Sequence, residues 1–339
     1  MIALPLEALA GLGELWVREG ATGVAGVTLD SRAVEPGVLF VAVGGGRAYL
    51  EQARAAGAAA TLVPADEHAA LAQLGRETLQ RSRARVVGVT GSNGKTSTKD
   101  ILAALCSAAA RTVASEKSFN NEIGVPLTLF RLEPGTELVI LEMAMRGRGH
   151  IEALAQIAPP DVAAITSIAP AHLELLGSLQ AIAEAKAEIV AGTRDGGAVV
   201  VPAGVPELEA ALAAQGAQAR VRVQRVDAAT AVRAVKPRED GGCRAAFALG
   251  GGEEAVLDLP FSSRHQLANT LTALAVYRAL GLPLERAQEG AAQIRLSSWR
   301  GEETAIRGGG VLVNDAYNAN PGSMRAALEH QQQRAAGRR

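Results

Sequence analysis

The stretch at residues 86–98 constrains this chain most, because it has the make-up of a phosphate-binding loop. A short apolar, β-branched run leads into Gly-Ser-Asn-Gly at 91–94, and Lys95 and Thr96 open a predicted helix. Glycines let the backbone approach an anion closely, and a helix N-terminus offers unpaired N–H groups and a positive dipole end. The lysine adds a point charge for the phosphates, and the threonine hydroxyl is placed for Mg²⁺. The general pattern of such loops has a glycine where this chain has Val89. An ordinary glycine-rich turn is the alternative. Gly-Lys-Thr directly after a strand argues against that alternative.

Bulk properties exclude several classes of function. At 339 residues the chain is expected to form two or three domains, and its 48% hydrophobic content is ample for buried cores. A net charge of −1 argues against a general electrostatic hold on nucleic acid. No apolar run is long enough for a membrane span and the N-terminus lacks a secretory pattern, so we expect a cytoplasmic protein. Cys106 and Cys243 lack metal-ligand spacing, in keeping with a reducing compartment.

The alternation of strand-like and helical segments predicts an α/β fold in three parts. Residues 1–82 are predicted to form a small N-terminal α/β domain, and residues 83–297 a central domain with a mostly parallel sheet flanked by helices. Residues 298–339 are predicted to begin a further α/β domain. Within the first part, residues 4–16 have a helical period, and a polar, arginine-rich bridge at 77–85 is predicted to mark the first boundary.

Two predicted strands end in side chains that can do chemistry. The buried run at 138–141 ends in Glu142, and the run at 162–168 leads to His172. Ligands of an open parallel sheet bind at the carboxyl ends of its strands. Glu142 is therefore placed to reach a metal ion near the phosphates, and His172 is a candidate metal ligand or acid/base group. A glutamate that merely ends a strand and a structural histidine are the alternatives.

Lysine is scarce in this chain. Lys and Arg together number 34, but lysine occurs only at positions 95, 99, 117, 186 and 236. Lys186 lies on a predicted helix at 178–190, between Glu184 and Glu188, which is the usual arrangement of a solvated Glu/Lys face. Because most positions that only need a positive charge carry arginine, the retained lysine points to chemistry that a guanidinium cannot perform.

A second anion site is indicated in the first part of the chain. Ser31 and Arg32 follow Asp30 just before a Pro-Gly turn at 36–37, so a hydroxyl, backbone N–H groups and a guanidinium can converge. A surface turn is an equally open alternative.

The last part of the chain repeats the arrangement of a strand that ends in a carboxylate. A predicted hairpin is followed by Asp315 at the end of a strand, then by a loop and the start of a helix. After Leu328 the apolar pattern fades. One strand and one helix cannot bury a core alone, so we expect the chain to end inside a third domain.

Five motifs occur together in this chain. They are Thr-Gly-Ser-Asn-Gly-Lys-Thr at 90–96, Asn-Asn-Glu-Ile-Gly-Val-Pro at 120–126, Ala-His-Leu-Glu at 171–174 with Lys-Ala-Glu at 186–188, Arg-His-Gln-Leu-Ala-Asn at 264–269, and Asp-Ala-Tyr-Asn-Ala-Asn-Pro at 315–321. This set resembles the Mur ligases, the ATP-dependent amide-bond-forming enzymes of peptidoglycan precursor synthesis. The second and fifth motifs most resemble the MurF branch, which adds D-alanyl-D-alanine to UDP-N-acetylmuramoyl-tripeptide. A MurE-type or folylpolyglutamate synthase-like ligase is the alternative, because the ATP machinery is shared.

The resemblance implies a two-step reaction, in which ATP phosphorylates a terminal carboxylate and an amine then attacks the acyl phosphate. It implies ATP and Mg²⁺ as cofactors and a monomeric enzyme. Lys186 matches a lysine that becomes carbamylated, and Arg300 matches an arginine that reaches the γ-phosphate. By the same resemblance the catalytic residues are Lys95, His172, Lys186 and Arg300, and the metal ligands are Thr96, Glu142 and His172. The nucleotide-binding residues are Gly91, Ser92, Asn93, Gly94, Lys95, Thr96, Ser97, Asn269, Asp315 and Asn318. The substrate-binding residues are Ser31, Arg32, Asn120 and Asn121.

Two departures from the family pattern bear on activity. The loop at 43–49, which follows a first-domain strand, is shorter than in MurF proteins, and this weakens the expectation of UDP contacts from it. Most of the family's C-terminal domain, which closes on ATP, has no counterpart before the chain ends. A catalytically inactive nucleotide-binding remnant is therefore the alternative of a different class.

Overall fold

The computed structural model describes residues 1–171, 173–307 and 310–335. It confirms the predicted α/β class: a central parallel sheet with helices on both faces is joined to a smaller mixed sheet, an antiparallel sheet and a terminal hairpin. His172, to which the sequence assigns catalytic and metal-binding roles, lies outside the described residues.

The first part of the chain forms a four-stranded sheet in the order β2-β6-β5-β4, beside a short antiparallel pair, β1 and β3. Strands β4, β5 and β6 are parallel, and β2 joins β6 antiparallel. The elements are β1 (Leu4–Pro5), a 3₁₀ turn (Leu6–Leu9), β2 (Gly13–Val17), β3 (Gly23–Val24), β4 (Val27–Thr28), a 3₁₀ turn (Ser31–Ala33), β5 (Leu39–Val41), a 3₁₀ turn (Gly44–Tyr49), α1 (Leu50–Ala55), β6 (Ala60–Pro64) and α2 (Glu67–Ser82).

The helix predicted over residues 4–16 is wrong. Gly11 and Gly13 have φ values of 76° and 154°, which break a helix at this point, and the chain continues as strand β2. Trp16 therefore lies on a strand, where the Arg54 guanidinium packs 4.7 Å from its ring centroid.

The polar bridge predicted at 77–85 is also wrong, because most of it is the last part of helix α2. The Asp66 side chain caps this helix by accepting a hydrogen bond from the Ala69 N–H at 2.9 Å. Its charged residues face solvent, while Leu71, Leu74 and Leu79 are buried. The polar residues of one face alternate in the sequence with the apolar residues of the other, so the segment looks polar as a whole.

The central sheet has six parallel strands in the order β12-β11-β10-β7-β9-β8. Its four middle strands are almost wholly buried, as expected of a parallel sheet covered on both faces. The elements are β7 (Arg85–Thr90), α3 (Lys95–Ser107), β8 (Thr112–Ala114), α4 (Gly124–Leu129), β9 (Leu138–Glu142), α5 (His150–Ile157), β10 (Val162–Ile165), α6 (Leu173–Leu176), α7 (Leu179–Gly192), β11 (Ala198–Pro202), α8 (Pro206–Ala214), α9 (Ala217–Arg220) and β12 (Arg222–Val226).

An antiparallel sheet and a long apolar helix complete the second face. The elements are α10 (Ala228–Ala231), β13 (Val232–Pro237), β14 (Cys243–Gly250), β15 (Glu253–Leu259), α11 (Arg264–Ala279), a 3₁₀ turn (Leu284–Arg286) and α12 (Ala287–Ala291). One core lies between the central sheet and α5, α7 and α8. The other lies between the sheet and α3, α11 and the antiparallel strands.

The last described residues form the predicted hairpin, β16 (Glu302–Ile306) and β17 (Gly310–Asn314), followed by α13 (Pro321–Arg334). The division into domains at 82/83 and 297/298 stays a prediction. One buried cluster lies mostly within residues 4–74, and two lie mostly within residues 84–296. Among the described helices, none is both long and apolar enough to cross a membrane.

Candidate active site

A cavity of about 630 Å³ lies at the carboxyl ends of β7, β9 and β10, which is where an open parallel sheet binds its ligands. The start of α11 and the segment from Arg300 to α13 close it from the other side. The sequence-predicted residues that line it are Ser92, Asn93, Gly94, Lys95, Thr96, Ser97, Asn120, Asn121, Glu142, Asn269, Arg300, Asp315 and Asn318. The structure therefore brings together groups from positions that are more than 200 residues apart.

The phosphate loop has glycines where the backbone conformation and the neighbouring atoms both disfavour a side chain. Gly91 and Gly94 have φ values of 145° and 81°. A Cβ at Gly91 would lie 2.0 Å from the Thr166 hydroxyl oxygen, and one at Gly94 would lie 2.4 Å from the Asn269 Oδ1 atom. The loop can therefore approach these neighbours only because both side chains are absent.

The segment after β10 holds the outer part of the loop. The Ser167 carbonyl oxygen accepts a hydrogen bond from the backbone N–H of Ser92 at 2.9 Å. The Ser167 hydroxyl oxygen accepts one from the backbone N–H of Asn93, also at 2.9 Å. The next N–H groups, in the first turn of α3, have no intrahelical acceptor, and no side chain caps the helix at Gly94. These donors, on the cavity-lining residues Lys95, Thr96 and Ser97, are therefore available to an anion.

Lys95 is bent back onto its own loop. Its Nζ atom donates to the Gly91 carbonyl oxygen at 2.9 Å and lies 3.4 Å from that of Ser92. Burial lowers the pKa of Lys95, the nearby Glu142 carboxylate opposes this shift, and the Arg300 guanidinium adds to it. A negatively charged ligand would compensate the two cations that meet here.

Glu142 and Thr96 are suited to a hard cation. Glu142 is only 1% exposed; its Oε1 atom accepts from Asn120 Nδ2 at 2.8 Å, and its buried Oε2 atom has no partner. The Thr96 hydroxyl accepts from Arg300 Nη2 at 2.8 Å. Within the described ranges, no three His, Cys, Asp or Glu side chains form a cluster.

Lys186 does not belong to a solvated helix face. It is 2% exposed, and within the part of the chain that the structure describes its ammonium group makes no hydrogen bond or ion pair. Burial lowers the pKa of Lys186 well below its usual range, and the positive charge of Lys95 adds to the shift while Glu188 opposes it. Lys186 is therefore buried within range of the Lys95 charge, although it does not line the cavity itself.

Arg300 is held from two sides. Its guanidinium stacks 4.1 Å from the centroid of the Tyr317 ring, while its Nη2 atom reaches Thr96. Burial raises the pKa of the neighbouring Asp315 carboxyl group, and Arg300 opposes that shift. The last part of the chain thus places a cation and a carboxylate beside the phosphate loop.

Two of the sequence-predicted substrate residues lie away from this cavity. Ser31 and Arg32 are in the first part of the chain, and the Arg32 guanidinium is occupied by Asp30 through hydrogen bonds of 2.9 and 2.8 Å. These contacts lower the pKa of Asp30 to about 2. Whether this turn binds UDP stays a prediction. Asn121 does line the cavity, but its Oδ1 atom accepts from the backbone N–H of Gly124 at 2.8 Å.

The sequence did not single out several other residues of the cavity wall. Arg146 and His150 follow strand β9, and the Arg146 backbone N–H donates to His150 Nδ1 at 3.3 Å. Asn320 exchanges side-chain amide hydrogen bonds of 2.6 and 3.4 Å with Asn93. Only the positions of these residues in the sequence could have indicated a role for them. Arg146 and His150 follow a strand that ends in a carboxylate, and Asn320 lies within the Asn-Ala-Asn-Pro loop.

Comparison with known proteins agrees with this geometry. Residues 89–277 match the family model of the Mur ligase middle domain. The UDP-N-acetylmuramoyl-tripeptide–D-alanyl-D-alanine ligase of Bacillus subtilis is 35% identical, over 91% of this chain and 70% of that protein.

Two solved structures have the same fold. MurF from Acinetobacter baumannii has a TM-score of 0.83 at 27% identity, covering 97% of this chain and 76% of that one. MurF ligase from Thermotoga maritima, solved in complex with ADP, has a TM-score of 0.76 at 28% identity, covering 90% and 74%. The chain belongs to the Mur ligase family, in its MurF branch.

Proposed function

We propose that this chain is an ATP-dependent amide-bond ligase that joins D-alanyl-D-alanine to UDP-N-acetylmuramoyl-tripeptide. One observation carries the proposal: a phosphate loop and the orphaned oxygen of Glu142 face the same cavity at the carboxyl edge of the sheet. The relative from Bacillus subtilis that bears the name of this activity is 35% identical over 91% of the chain.

The residues of the cavity can handle the charge of such a reaction. The first turn of α3 and Lys95 hold the nucleotide phosphates, and Arg300 neutralises negative charge at the γ-phosphate. The terminal carboxylate of the tripeptide attacks the γ-phosphorus and ADP leaves. The amine of the dipeptide then attacks the acyl carbon and loses a proton, the C–O bond to phosphate breaks, and an amide forms as phosphate leaves. Positioning and charge compensation are the main contributions of the protein.

Mg²⁺ belongs to this proposal, with Thr96 and Glu142 as its protein ligands and His172 as the further ligand that the resemblance implies. Such an ion would neutralise phosphate charge. Thr96 and Glu142 fit because a buried carboxylate oxygen without a partner is costly unless a cation or a donor reaches it.

Carbamylation of Lys186 is a second part of the proposal. Carbamate formation needs a neutral amine, which adds to CO₂ and releases a proton, and the lowered pKa of Lys186 favours the neutral form. The product would be an anion next to Lys95. A carbamate carbon signal that appears with ¹³C-bicarbonate and is lost in Lys186→Arg would support it, and an identical signal in the variant would contradict it.

The remaining roles follow the family pattern. Asn269, Asp315 and Asn318 are proposed to contact the nucleotide, and Asn120 and Asn121 the substrate, while Ser31 and Arg32 are proposed to contact the UDP group. A monomeric state and a cytoplasmic location also belong to this proposal, since ATP and UDP-linked precursors are cytoplasmic compounds.

Phosphate release by the full 339-residue chain tests the function. We expect release only when ATP, the UDP-tripeptide and D-alanyl-D-alanine are all present, and at least a 100-fold loss in Lys95→Ala. UDP-N-acetylmuramoyl-L-alanyl-D-glutamate with lysine or diaminopimelate, and a folate with glutamate, are the substrate pairs that test the alternative Mur-type activities. Nucleotide binding without phosphate release under all these conditions would contradict the proposal.

A further inference from the structure

A second cleft, of about 670 Å³, lies at the opposite edge of the central sheet from the phosphate loop. Its walls are the end of α2, the first residue of β7, and the turns that precede β10 and β11. Because these turns lie at the amino ends of the strands, the cleft is separate from the nucleotide cavity. Its volume is typical of a small-molecule site.

The charge of this cleft is strongly one-sided. Four arginines line it, at positions 76, 83, 85 and 194, against a single carboxylate, Asp161. Asp161 is already engaged: one of its oxygens accepts from the backbone N–H of Val86 at 2.7 Å, and the other lies 3.5 Å from Arg194 Nε. The carboxylate therefore leaves most of the arginine charge without compensation.

The four arginines differ in how they are held. Arg85 donates to the Leu280 carbonyl oxygen at 3.0 Å, which fixes its side chain without neutralising the charge. Arg194 donates to the Pro159 carbonyl oxygen at 3.3 Å and is also paired with Asp161. The side chains of Arg76 and Arg83 make no hydrogen bond or ion pair to the residues that the structure describes. Arg83 is exposed and Arg76 is half-buried, so both guanidinium groups are free to meet an anion that enters the cleft.

The backbone at Arg83 is a second, independent indication. Arg83 ends helix α2 with φ 59° and ψ 16°, the left-handed conformation in which glycine is the usual residue. The chain contains 37 glycines, yet this position carries an arginine whose side chain lines the cleft. Arg83 therefore occupies a position where glycine would suit the backbone better.

We propose that this cleft binds a small anion that carries phosphate groups. The planar guanidinium fork matches phosphate oxygens in pairs, and Arg76 and Arg83 are free to supply it. Leu79 and Ile157 give the cleft an apolar floor. An anion held here would join the end of α2 to the turn before β10, and so tie the first part of the chain to the central sheet.

Calorimetric titration with inorganic pyrophosphate tests the proposal in the full chain. Lys95→Ala is used as the background, which removes the lysine charge from the phosphate loop. We expect pyrophosphate binding that is weakened at least tenfold by the added pair Arg76→Gln and Arg83→Gln. The matched control pair, Arg222→Gln and Arg233→Gln, removes the same charge from exposed positions and should change the affinity less than twofold. No binding in the background, or equal losses in both pairs, would overturn the proposal.

Arg83→Gly separates the two roles of that residue. Glycine suits the left-handed backbone, so the melting temperature should rise or stay constant, while pyrophosphate affinity should fall. Unchanged affinity in a stably folded Arg83→Gly variant would contradict the assignment. The result does not depend on the ligase activity, because both readouts are taken in the Lys95→Ala background.

Discussion

At the scale of single residues, Glu142 is the side chain of the cavity that most favours a bound cation. Its carboxylate is buried at the end of β9, one oxygen is bonded to Asn120, and the other has no partner. A buried carboxylate oxygen without a partner is unfavourable, so the side chain is expected to be stabilised when a cation binds.

Replacing Glu142 should therefore separate metal binding from phosphate binding. In Glu142→Gln we expect Mg²⁺ to lose most of its effect on nucleotide affinity, roughly tenfold or more, because the anionic ligand is gone. Nucleotide affinity without Mg²⁺ should stay within about threefold, since Lys95 and the first turn of α3 remain. Isothermal titration with ADP, with and without Mg²⁺, measures both. Glu133→Gln, at an exposed turn, is the matched control, and the same loss of the Mg²⁺ effect there would contradict the assignment.

His265 should make the protein less stable in mild acid. Burial lowers the pKa of His265 to about 4 from the ordinary 6.5, and His330 adds to the shift. The unfolded chain therefore binds a proton below pH 6.5 that the folded chain does not accept until about pH 4. The free energy of unfolding should fall by about 1–2 kcal/mol between these pH values after allowance for partial exposure. The free energy of unfolding of His265→Gln, measured with urea at several pH values, should lack this fall. The same dependence of that free energy on pH in the variant and in the parent chain would rule out a contribution from His265.

At the scale of elements, the junction of β7 with α3 depends on glycine for two separate reasons. Gly94 has a left-handed φ, and the space that its Cβ would need is filled by Asn269 from α11. Helix α3 can begin this close to helix α11 because residue 94 is a glycine, which allows the left-handed φ and leaves room for Asn269.

Gly94→Ala and Gly204→Ala distinguish these reasons. Gly204 has a similar φ of 71° and no atom within 4 Å of the position that a Cβ would occupy, so alanine there should cost only about 1 kcal/mol for the backbone. Gly94→Ala should lower the free energy of unfolding by roughly a further 1–3 kcal/mol, because Asn269 must move. The nucleotide affinity should fall as well. Thermal unfolding and ADP titration measure the two effects. Equal losses of stability would show that the contact with Asn269 is unimportant.

At the scale of the whole molecule, the last part of the chain is tied to the phosphate loop. Asn320, the N-cap of α13, exchanges amide hydrogen bonds with Asn93, and Arg300 reaches Thr96. These contacts join residues that are 227 and 204 positions apart. The loop and the segment after residue 298 should therefore be energetically coupled.

A double-mutant cycle measures this coupling. Asn93→Ala and Asn320→Ala should show a coupling free energy of about 0.5–1.5 kcal/mol, because each removes the same pair of bonds. Urea unfolding followed by Trp299 fluorescence, in a Trp16→Phe background, reports on this region. The cycle of Asn93→Ala with Asn318→Ala is the control, since the Asn318 side chain bonds only to the Ala319 N–H among the described residues, and it should be additive. Coupling as large in the control cycle would refute the direct contact.

The sequence was most informative where local pattern decides the structure. The strands, the phosphate loop and Glu142 at a strand end follow from apolar runs and glycine spacing, and the structure places them as expected. The helix predicted at residues 4–16 failed because glycine turns outweigh its apolar period. The contact of Asn320 with Asn93 depends on how distant segments pack, and a single sequence contains no local signal for it.

Transfer of oxygen from the substrate to phosphate tests the central claim most directly, namely that this chain uses ATP to activate a carboxylate. UDP-N-acetylmuramoyl-tripeptide labelled with ¹⁸O in both terminal carboxylate oxygens is incubated with the chain, ATP, Mg²⁺ and D-alanyl-D-alanine, and the released phosphate is analysed by mass spectrometry. We expect one ¹⁸O atom in each phosphate, because the acyl phosphate breaks at its C–O bond. Released phosphate without ¹⁸O would mean that ATP is hydrolysed by water, and it would contradict the account.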